Sequence, residues 1–294
     1  MIDIDRYLEN EQVKINEALG NCLPDNAPAA VINAMRYSLE AGGKRLRPIL
    51  TIAVAKSLGD VSQDLYTLAC AVEMIHTYSL IHDDLPAMDN SDLRRGKPTC
   101  HRIYGDAVAI LAGDALLTLA FQLVSQFGMR EERAVQANRI SAELAAAAGA
   151  AGMIGGQILD LEAEGSDPTL EQVELISALK TGALIRASVL SGAIASNASD
   201  REIKALSAYA ESCGKAFQVV DDILDYEGNR EDLGKPTGAD LARRKATYPA
   251  LLGIDGSREL AEKLYDEAIN ALAPLSCNLD ILSEIARKLV YRVN

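Results

Sequence analysis

The chain has 294 residues and a formal net charge of −13, with 49% hydrophobic and 24% charged residues. This composition is typical of a globular protein, and its acidic excess argues against nucleic acid as a partner, because binding a phosphate backbone needs a broad basic surface. Five scattered cysteines argue against a disulfide framework or a zinc site and favour a reducing, cytoplasmic location.

In chain order, residues 1–12 are acidic and lack the apolar core of a signal peptide. The best candidate for a membrane span, residues 107–121, is short and contains Asp114, so we predict no span. No proline occurs between residues 99 and 167 or between 169 and 235, and both intervals are rich in Ala, Leu, Glu and Ile. These residues favour helix, so the sequence predicts an all-α protein.

Several predicted helices carry boundary signals. Thr169 with Gln172 and Ser199 with Glu202 have the spacing of capping boxes, and Gly228 has the position of a C-terminal cap. The helix between Ser199 and Gly228 would be about 42 Å long, enough to span a domain, which favours one bundle over two small domains.

Two glycine-rich segments interrupt the helical pattern. The small residues of segment 142–157 predict either close packing against another helix or a helix broken at Gly155 and Gly156. Segment 227–244 is polar, with three glycines and a proline. Its composition predicts a loop of the kind that closes over ligands.

The first acidic cluster follows an amphipathic stretch, residues 65–83. Asp83 and Asp84 lie near the predicted C-terminus of this helix, and Asp89 follows Pro86. The helix macrodipole disfavours anions at that end, so crowded carboxylates there indicate a bound cation. A solvated acidic helix end is the alternative.

The second acidic cluster lies within the long predicted helix. Gln218, Asp221, Asp222 and Asp225 follow the i, i+3, i+4, i+7 pattern, so they share one helical face among apolar neighbours. Buried unpaired carboxylates are costly, and two such clusters predict a divalent metal between them. Ligands that are all oxygen favour Mg²⁺, which also takes phosphate oxygens from a substrate.

Basic residues stand beside these clusters. Arg94 and Arg95 are adjacent, so their side chains point in different directions and can bind two anions. The segment GGKRLRP, residues 42–48, carries Lys44 and Arg47 before a predicted helix. It forms a candidate phosphate cradle, with a solvated basic turn as the alternative. The remaining candidate cations, each by itself typical of a surface lysine, are Lys180, Lys235 and Lys245.

Taken together, the motifs resemble those of the trans-isoprenyl diphosphate synthases, most closely the bacterial farnesyl diphosphate synthases. The resemblance covers nearly the whole chain. It implies one domain, residues 1–294, folded as a large helical bundle around a central cavity, and a homodimer in the cytoplasm. The motifs are GGKRLRP, HDDLPAMD with LRRGKPT, GGQxxD, KTGALI, FQVVDDILD and GKPTGADLARRKATYP.

The resemblance also implies the ligands. Three Mg²⁺ ions, with Mn²⁺ as the alternative metal, would clamp the diphosphate of an allylic substrate between the two acidic clusters. The implied metal-site residues are Asp83, Asp84, Asp89, Asp221, Asp222 and Asp225. The implied allylic diphosphate contacts are Arg94, Lys180, Lys235 and Lys245. The implied isopentenyl diphosphate contacts are Gly43, Lys44, Arg47, His76 and Arg95. For His76 a core histidine is the alternative, and His82 and His101 are interpreted as structural.

The implied reaction is Mg²⁺-dependent head-to-tail condensation of isopentenyl diphosphate with dimethylallyl or geranyl diphosphate to give farnesyl diphosphate. Oxygen atoms near Lys180, Thr181 and Gln218 would steady the allylic cation. Tyr78 lies five positions before Asp83, about 7 Å down the helix axis. The resemblance implies that an aromatic residue at this place stops chain growth at fifteen carbons; the alternative is that Tyr78 merely packs in the core. Ser79 beside it is small and does not decide the length.

Other interpretations account for less. Twenty-carbon or ten-carbon products remain alternatives for the same chemistry. A terpene cyclase guides carbocations with aromatic walls, but this chain has 4% aromatic residues and no Trp. A non-catalytic subunit of a heteromeric synthase usually lacks one aspartate motif, whereas both are intact here. A purely structural helical scaffold does not explain metal and phosphate motifs in the same chain.

Overall fold

The computed structural model describes residues 3–228 and 247–291. Its regular structure is helical apart from one short hairpin, so the all-α prediction is confirmed. The first half contains α1 (Ile4–Asn21), α2 (Ala29–Leu39), α3 (Leu46–Ser57), α4 (Asp64–Asp83), β1 (Leu93–Arg94), β2 (Lys97–Pro98), α5 (Cys100–Tyr104) and α6 (Asp106–Phe127). A 3₁₀ turn (Glu131–Arg133) then leads into α7 (Ala134–Ala148), α8 (Met153–Ala163), α9 (Leu170–Ser177), a π-helical turn (Ala178–Gly182) and α10 (Ala183–Ala195). The second half ends with α11 (Asp200–Glu227), α12 (Tyr248–Leu272) and α13 (Asp280–Val290).

Helix α4 is the centre of the bundle. It packs along α6 and also contacts α1, α3 and α10. Buried residues occur on every side of it, and even Glu73 is only 1% exposed. The predicted amphipathic pattern for residues 65–83 is therefore wrong, because this helix has no solvent-facing side. A helix that is buried on all sides needs no single apolar stripe.

The predicted caps fix the ends of α9 and α11. Thr169 and Ser199 each accept a hydrogen bond from the backbone N–H three residues later, and Gln172 and Glu202 complete both capping boxes. Helix α11 runs for 28 residues and stops at Gly228, which has a left-handed backbone. The predicted length of this helix is confirmed.

Close packing, rather than a helix break, explains Gly155 and Gly156. Both lie inside α8, and the break between α7 and α8 falls earlier, at residues 149–152. A Cβ atom on Gly156 would lie 2.2 Å from the backbone nitrogen of Lys180. The missing side chain therefore lets α8 approach the π-helical turn.

Two stretches are long and apolar enough to cross a membrane by length and composition alone. They are residues 106–127 and residues 134–163; in an apolar 18-residue window of each, 44% and 28% of the residues are buried. The first is α6, which packs along α4, and the second is interrupted between α7 and α8. Core helices of helical bundles have the same composition, so our prediction of no membrane span stays a prediction.

Candidate functional site

The chain after α4 folds back on the end of that helix. The backbone N–H of Asp89 donates to the carbonyl oxygen of Asp83 at 2.8 Å, and that of Ser91 donates to the carbonyl oxygen of Asp84 at 3.2 Å. These bonds satisfy carbonyl groups that a helix C-terminus leaves open. They also hold Asp89 close to Asp83.

Asp84 and Arg94 form a two-pronged ion pair. Arg94 Nε lies 2.8 Å from both carboxylate oxygens of Asp84, and a terminal guanidinium nitrogen lies 2.7 Å from Oδ1. The Asp84 side chain is 5% exposed and that of Arg94 is 16% exposed. Asp84 thus directs its charge toward the hairpin strand β1.

Arg95 points away from Arg94, as predicted from their adjacency. Arg95 and Gly96 both have positive φ angles and form the turn between β1 and β2. The Arg95 guanidinium donates to the carbonyl oxygen of Gly42, and a Cβ atom on Gly43 would lie 2.4 Å from its central carbon. The two glycines of the 42–48 segment therefore form the surface on which Arg95 lies.

Arg95 belongs to a cluster of cations around His76. A terminal nitrogen of Arg47 lies 3.4 Å from Nε2 of His76. Burial lowers the pKa of His76 well below its usual value, and Arg47 and Arg95 lower it further. Burial also lowers the pKa of Arg47, opposed by the carboxylates of Glu73 and Asp221. His76 is accordingly neutral among charged arginines, and Arg47 lies within electrostatic reach of α11.

Arg45 anchors the 42–48 segment, a role that our sequence analysis missed. It forms an ion pair with Glu73 at 2.6 Å, both side chains being 2% exposed, and its Nε donates to Asn16 Oδ1 at 2.9 Å. It also donates to the carbonyl oxygen of Leu39. One guanidinium thus ties the segment to α1, α2 and α4. Spacing alone could not distinguish Arg45 from the other basic residues of its motif.

Asp83 lies in a crowded electrostatic environment. Burial raises the pKa of its carboxyl group; Asp89 and Asp84 add to the shift, whereas Lys180 and Arg94 oppose it. A carboxyl group that resists ionisation for these reasons is where a cation would be stabilised.

The π-helical turn brings Lys180 to this place. Lys180 Nζ lies 2.6 Å from Oδ2 of Asp160 on α8, an aspartate of the GGQxxD motif to which we assigned no role. π-helical turns of this type are frequent at functional sites. The turn therefore links α8 to the first aspartate cluster through Lys180.

The second aspartate cluster is connected to the same turn. Thr181 Oγ1 donates to Gln218 Oε1 at 2.9 Å, and Gln218 Nε2 donates to Asp222 Oδ1 at 2.8 Å. Asp222 Oδ2 accepts from the backbone N–H of Tyr248, at the start of α12, at 3.0 Å. Asp222 is 6% exposed, whereas Asp221 and Asp225 are half-buried. Asp222 therefore faces the protein interior more than its two neighbours do.

The structure brings most of the predicted site residues to one region, made by the 42–48 segment, the end of α4, the hairpin, the π-helical turn and α11. Lys44 is exposed at its edge. Lys235 and Lys245 lie outside the described residues. His82 and His101, interpreted as structural, bond to Ile110 and Thr99 respectively.

Tyr78 is buried in the core of the bundle, and its role in product length stays a prediction. It is 5% exposed and lies edge-on to His82 at 5.7 Å between ring centroids. Burial raises the pKa of Tyr78 to about 12, with a further contribution from Asp83. Its hydroxyl has no hydrogen-bond partner among the described residues. Ser79 donates to the carbonyl oxygen of His76 at 2.9 Å.

The donor set of the site fits Mg²⁺. Among the described residues, no three carboxylate, imidazole or thiolate groups converge as a complete metal-binding cluster. Mg²⁺ commonly uses one or two carboxylates and completes its shell with water and phosphate oxygens. Asp83 and Asp89 on one side, and Asp221 and Asp225 on the other, would suit such partial coordination.

Comparisons with known proteins agree with this geometry. The family model described as polyprenyl synthetase matches residues 28–274. Farnesyl diphosphate synthase of Bacillus subtilis is 42% identical over 99% of this chain and 97% of its own length. The chloroplastic geranylgeranyl pyrophosphate synthase of Catharanthus roseus is 46% identical, covering 99% of this chain and 82% of its own.

A solved structure extends the likeness to three dimensions. The geranyltransferase of Helicobacter pylori, crystallised with magnesium and isoprenyl diphosphate, superposes with a TM-score of 0.84. It is 35% identical, and the match covers 99% of this chain and 98% of that one.

Proposed function

Because the chain belongs to the polyprenyl synthetase family, we propose that it condenses isopentenyl diphosphate with dimethylallyl or geranyl diphosphate and releases farnesyl diphosphate and diphosphate. The chain is a prenyltransferase. The observation that carries the proposal is the meeting of two carboxylate clusters with the arginine cluster, linked by Lys180 near Asp83 and by Arg47 near Asp221. One site thereby offers separate places for two diphosphates.

The allylic diphosphate is assigned to the aspartate side. Asp83, Asp89, Asp221 and Asp225 would hold Mg²⁺, which when bound neutralises the departing diphosphate. Six aspartates were predicted as metal-site residues. We assign four of them to the metal, and we assign to Asp84 and Asp222 the role of orienting neighbouring side chains. The cationic side chains that would contact this diphosphate are Arg94, Lys180, Lys235 and Lys245.

Isopentenyl diphosphate is assigned to the arginine side, without metal. Arg47 and Arg95 approach neutral His76 from the 42–48 segment and the hairpin, and Gly43 leaves room for the Arg95 guanidinium. Guanidinium groups match phosphate oxygens in pairs, and their charges are desolvated here. Lys44 is assigned to the outer edge of this binding place.

The reaction needs no protein nucleophile. The allylic C–O bond breaks and its electron pair leaves with the diphosphate. The double bond of isopentenyl diphosphate then attacks the allylic carbon. The resulting tertiary cation loses a proton, which the released diphosphate accepts. Oxygen atoms near Lys180, Thr181 and Gln218 stabilise the positive charge electrostatically while it exists.

Product length is assigned to Tyr78. Its buried ring lies just over one turn before Asp83, so a growing chain that extends down α4 meets it. The experiment is product analysis after incubation with isopentenyl diphosphate, dimethylallyl diphosphate and Mg²⁺. We expect a fifteen-carbon product from the wild type and from Tyr78→Phe, and longer products from Tyr78→Ala. A twenty-carbon product from the wild type would leave the family assignment intact and reject the assigned length.

Apolar side chains exposed on three helices support a homodimer. Ile103, Ile110 and Leu111 on α5 and α6 are 50%, 43% and 58% exposed, and Ile154 and Ile158 on α8 are 47% and 51% exposed. Association between subunits would remove such side chains from water, and symmetric dimers are the commonest oligomers. We expect the wild type to sediment as a dimer and Leu111→Lys to shift toward monomer.

A cytoplasmic location belongs to the same proposal, supported by five free cysteines. The competing assignment, a non-catalytic subunit, predicts no product from the purified chain with any allylic primer. The presence of both aspartate motifs argues against that assignment.

A further inference from the structure

The side-chain amide of Gln218 has two ends with opposite hydrogen-bonding character, and the structure uses both. Its Nε2 lies 2.8 Å from Asp222 Oδ1, and its Oε1 lies 2.9 Å from Thr181 Oγ1. An ionised carboxylate only accepts hydrogen bonds. The opposite amide orientation would therefore set two acceptors 2.8 Å apart, which leaves one orientation for Gln218.

This orientation decides which atoms lie beside the π-helical turn. With Nε2 held by Asp222, the carbonyl oxygen of Gln218 must face Thr181, whose hydroxyl donates to it. The hydroxyl proton of Thr181 is engaged in this hydrogen bond. The remaining lone pairs of Thr181 Oγ1 and Gln218 Oε1 lie beside the π-helical turn that carries Lys180. Oxygen lone pairs stabilise a carbocation, whereas N–H groups in the same place would oppose it.

Asp222 is itself held in place. Its second oxygen accepts from the backbone N–H of Tyr248, and at 6% exposure Asp222 is among the most buried acidic residues in the described part of the chain. The neighbouring Asp221 is half-buried and lies within electrostatic reach of Arg47. The two adjacent aspartates thus face different surroundings.

We infer that Asp222 is a positioning residue that fixes the Gln218 amide with its carbonyl oxygen toward the reacting cation, and that it is not a metal ligand. This inference rests on the proposed function and deepens it, because it assigns separate tasks to the members of the second aspartate motif. Asp221 and Asp225 hold the cation, and Asp222 holds Gln218.

The test exchanges the two side-chain types. Asp222→Asn presents an N–H group to Gln218 and should turn the amide, and Gln218→Glu opposes two carboxylates. Each single variant is expected to lower kcat about 100-fold, the size found for losing one electrostatic contact to a reacting group.

The double variant, which combines Asp222→Asn with Gln218→Glu, restores the three hydrogen bonds described for these two side chains. The new amide at position 222 would donate to the new carboxylate at position 218 and accept from the backbone N–H of Tyr248. That carboxylate would in turn accept from the hydroxyl of Thr181. We expect the double variant to recover kcat at least about tenfold over either single variant, because the polar contacts are again complementary.

A binding measurement separates positioning from metal ligation. Calorimetric titration with Mg²⁺ and inorganic pyrophosphate should give an affinity for Asp222→Asn within about threefold of the wild type, while Asp225→Asn loses about tenfold or more. A loss of about tenfold in Asp222→Asn, or a double variant no more active than the singles, would overturn the inference. Thermal unfolding of each variant checks that it is folded, and the calorimetric result stands even if the double variant does not fold.

The wild type in the same assay keeps the two ideas apart. Absence of product from the wild type would reject the proposed function. Product from the wild type without coupling between positions 218 and 222 would reject only the role of Asp222.

Discussion

Two pairs of consecutive aspartates, Asp83–Asp84 at the end of α4 and Asp221–Asp222 in the second half of α11, share one arrangement but differ in the groups that hold them. In each pair the second member faces the protein, and the first remains near the cations of the site. Asp84 is held by the charged guanidinium of Arg94, whereas the contacts described for Asp222 include a neutral amide and a backbone N–H. One carboxylate of such a pair can thus stay available to a ligand while the other is held by the protein. The groups that hold the second carboxylate determine how much stability its removal costs.

The largest effect is expected from removing the outward members. Asp83→Asn and Asp221→Asn should each lower kcat at least about 100-fold, since charge stabilisation of the departing diphosphate depends on them. Steady-state product formation measures this. Activity equal to that of the wild type in either variant would contradict the comparison, because that aspartate would then have no role in cation binding.

Asp83→Asn also has an effect on stability that sharpens the comparison. The folded-state pKa of Asp83 is raised, chiefly by burial, so ionisation near neutral pH disfavours the folded protein. We therefore expect the neutral Asn to raise the Tm of Mg²⁺-free protein at about pH 7, with the gain disappearing as the pH falls and Asp83 itself becomes protonated. A lower Tm at that pH would contradict this.

The anchors themselves should differ in stability. Asp84→Ala leaves the largely buried Arg94 without its partner and should cost about 2–3 kcal/mol of unfolding free energy. Asp222→Ala leaves the Gln218 amide and the backbone N–H of Tyr248 without their acceptor, and the loss of these two contacts should cost about 1–2 kcal/mol. Urea denaturation followed by circular dichroism measures both variants. The reverse order would contradict the expectation that loss of the Arg94 ion pair costs more.

A smaller effect tests how the arginine side depends on glycine. Gly43→Ala would place Cβ against the Arg95 guanidinium, while Gly42→Ala meets nothing within 4 Å, although both have positive φ. Both variants should lose about 1 kcal/mol of stability. Gly43→Ala alone should raise the KM for isopentenyl diphosphate, by about tenfold if one charge-assisted bond is lost. Equal KM values in the two variants would separate Arg95 from substrate binding.

The smallest expected effect concerns pH and His76. Its folded pKa is depressed, so the unfolded chain takes up a proton near about pH 6.5 that the folded protein refuses. Protonation therefore favours the unfolded chain, and the folded protein loses stability as the pH falls below that value. We expect His76→Gln to flatten the decline of unfolding free energy between about pH 7 and 5. The same substitution at His82 serves as the matched control, and an identical flattening there would argue against the arginine cluster as the cause.

Much of this protein could be predicted from local patterns. The all-α fold, the capped 28-residue helix and the opposed directions of Arg94 and Arg95 each depend on residues within a few positions of one another. Helix periodicity and capping geometry act over that range. Spacing also identified the second aspartate cluster, because i+3 and i+4 positions necessarily share a helical face.

Only the tertiary structure decided how the acids and bases are paired. Asp84 with Arg94, Lys180 with Asp160, and Arg45 with Glu73 join residues that are 10, 20 and 28 positions apart along the chain. The sequence did not distinguish the surroundings of Asp221 from those of Asp222. In the structure Asp222 is buried, whereas Asp221 is half-buried. Desolvation makes the difference: a carboxylate is a ligand or an anchor according to which donors surround it, and those donors arrive from other helices when the bundle closes.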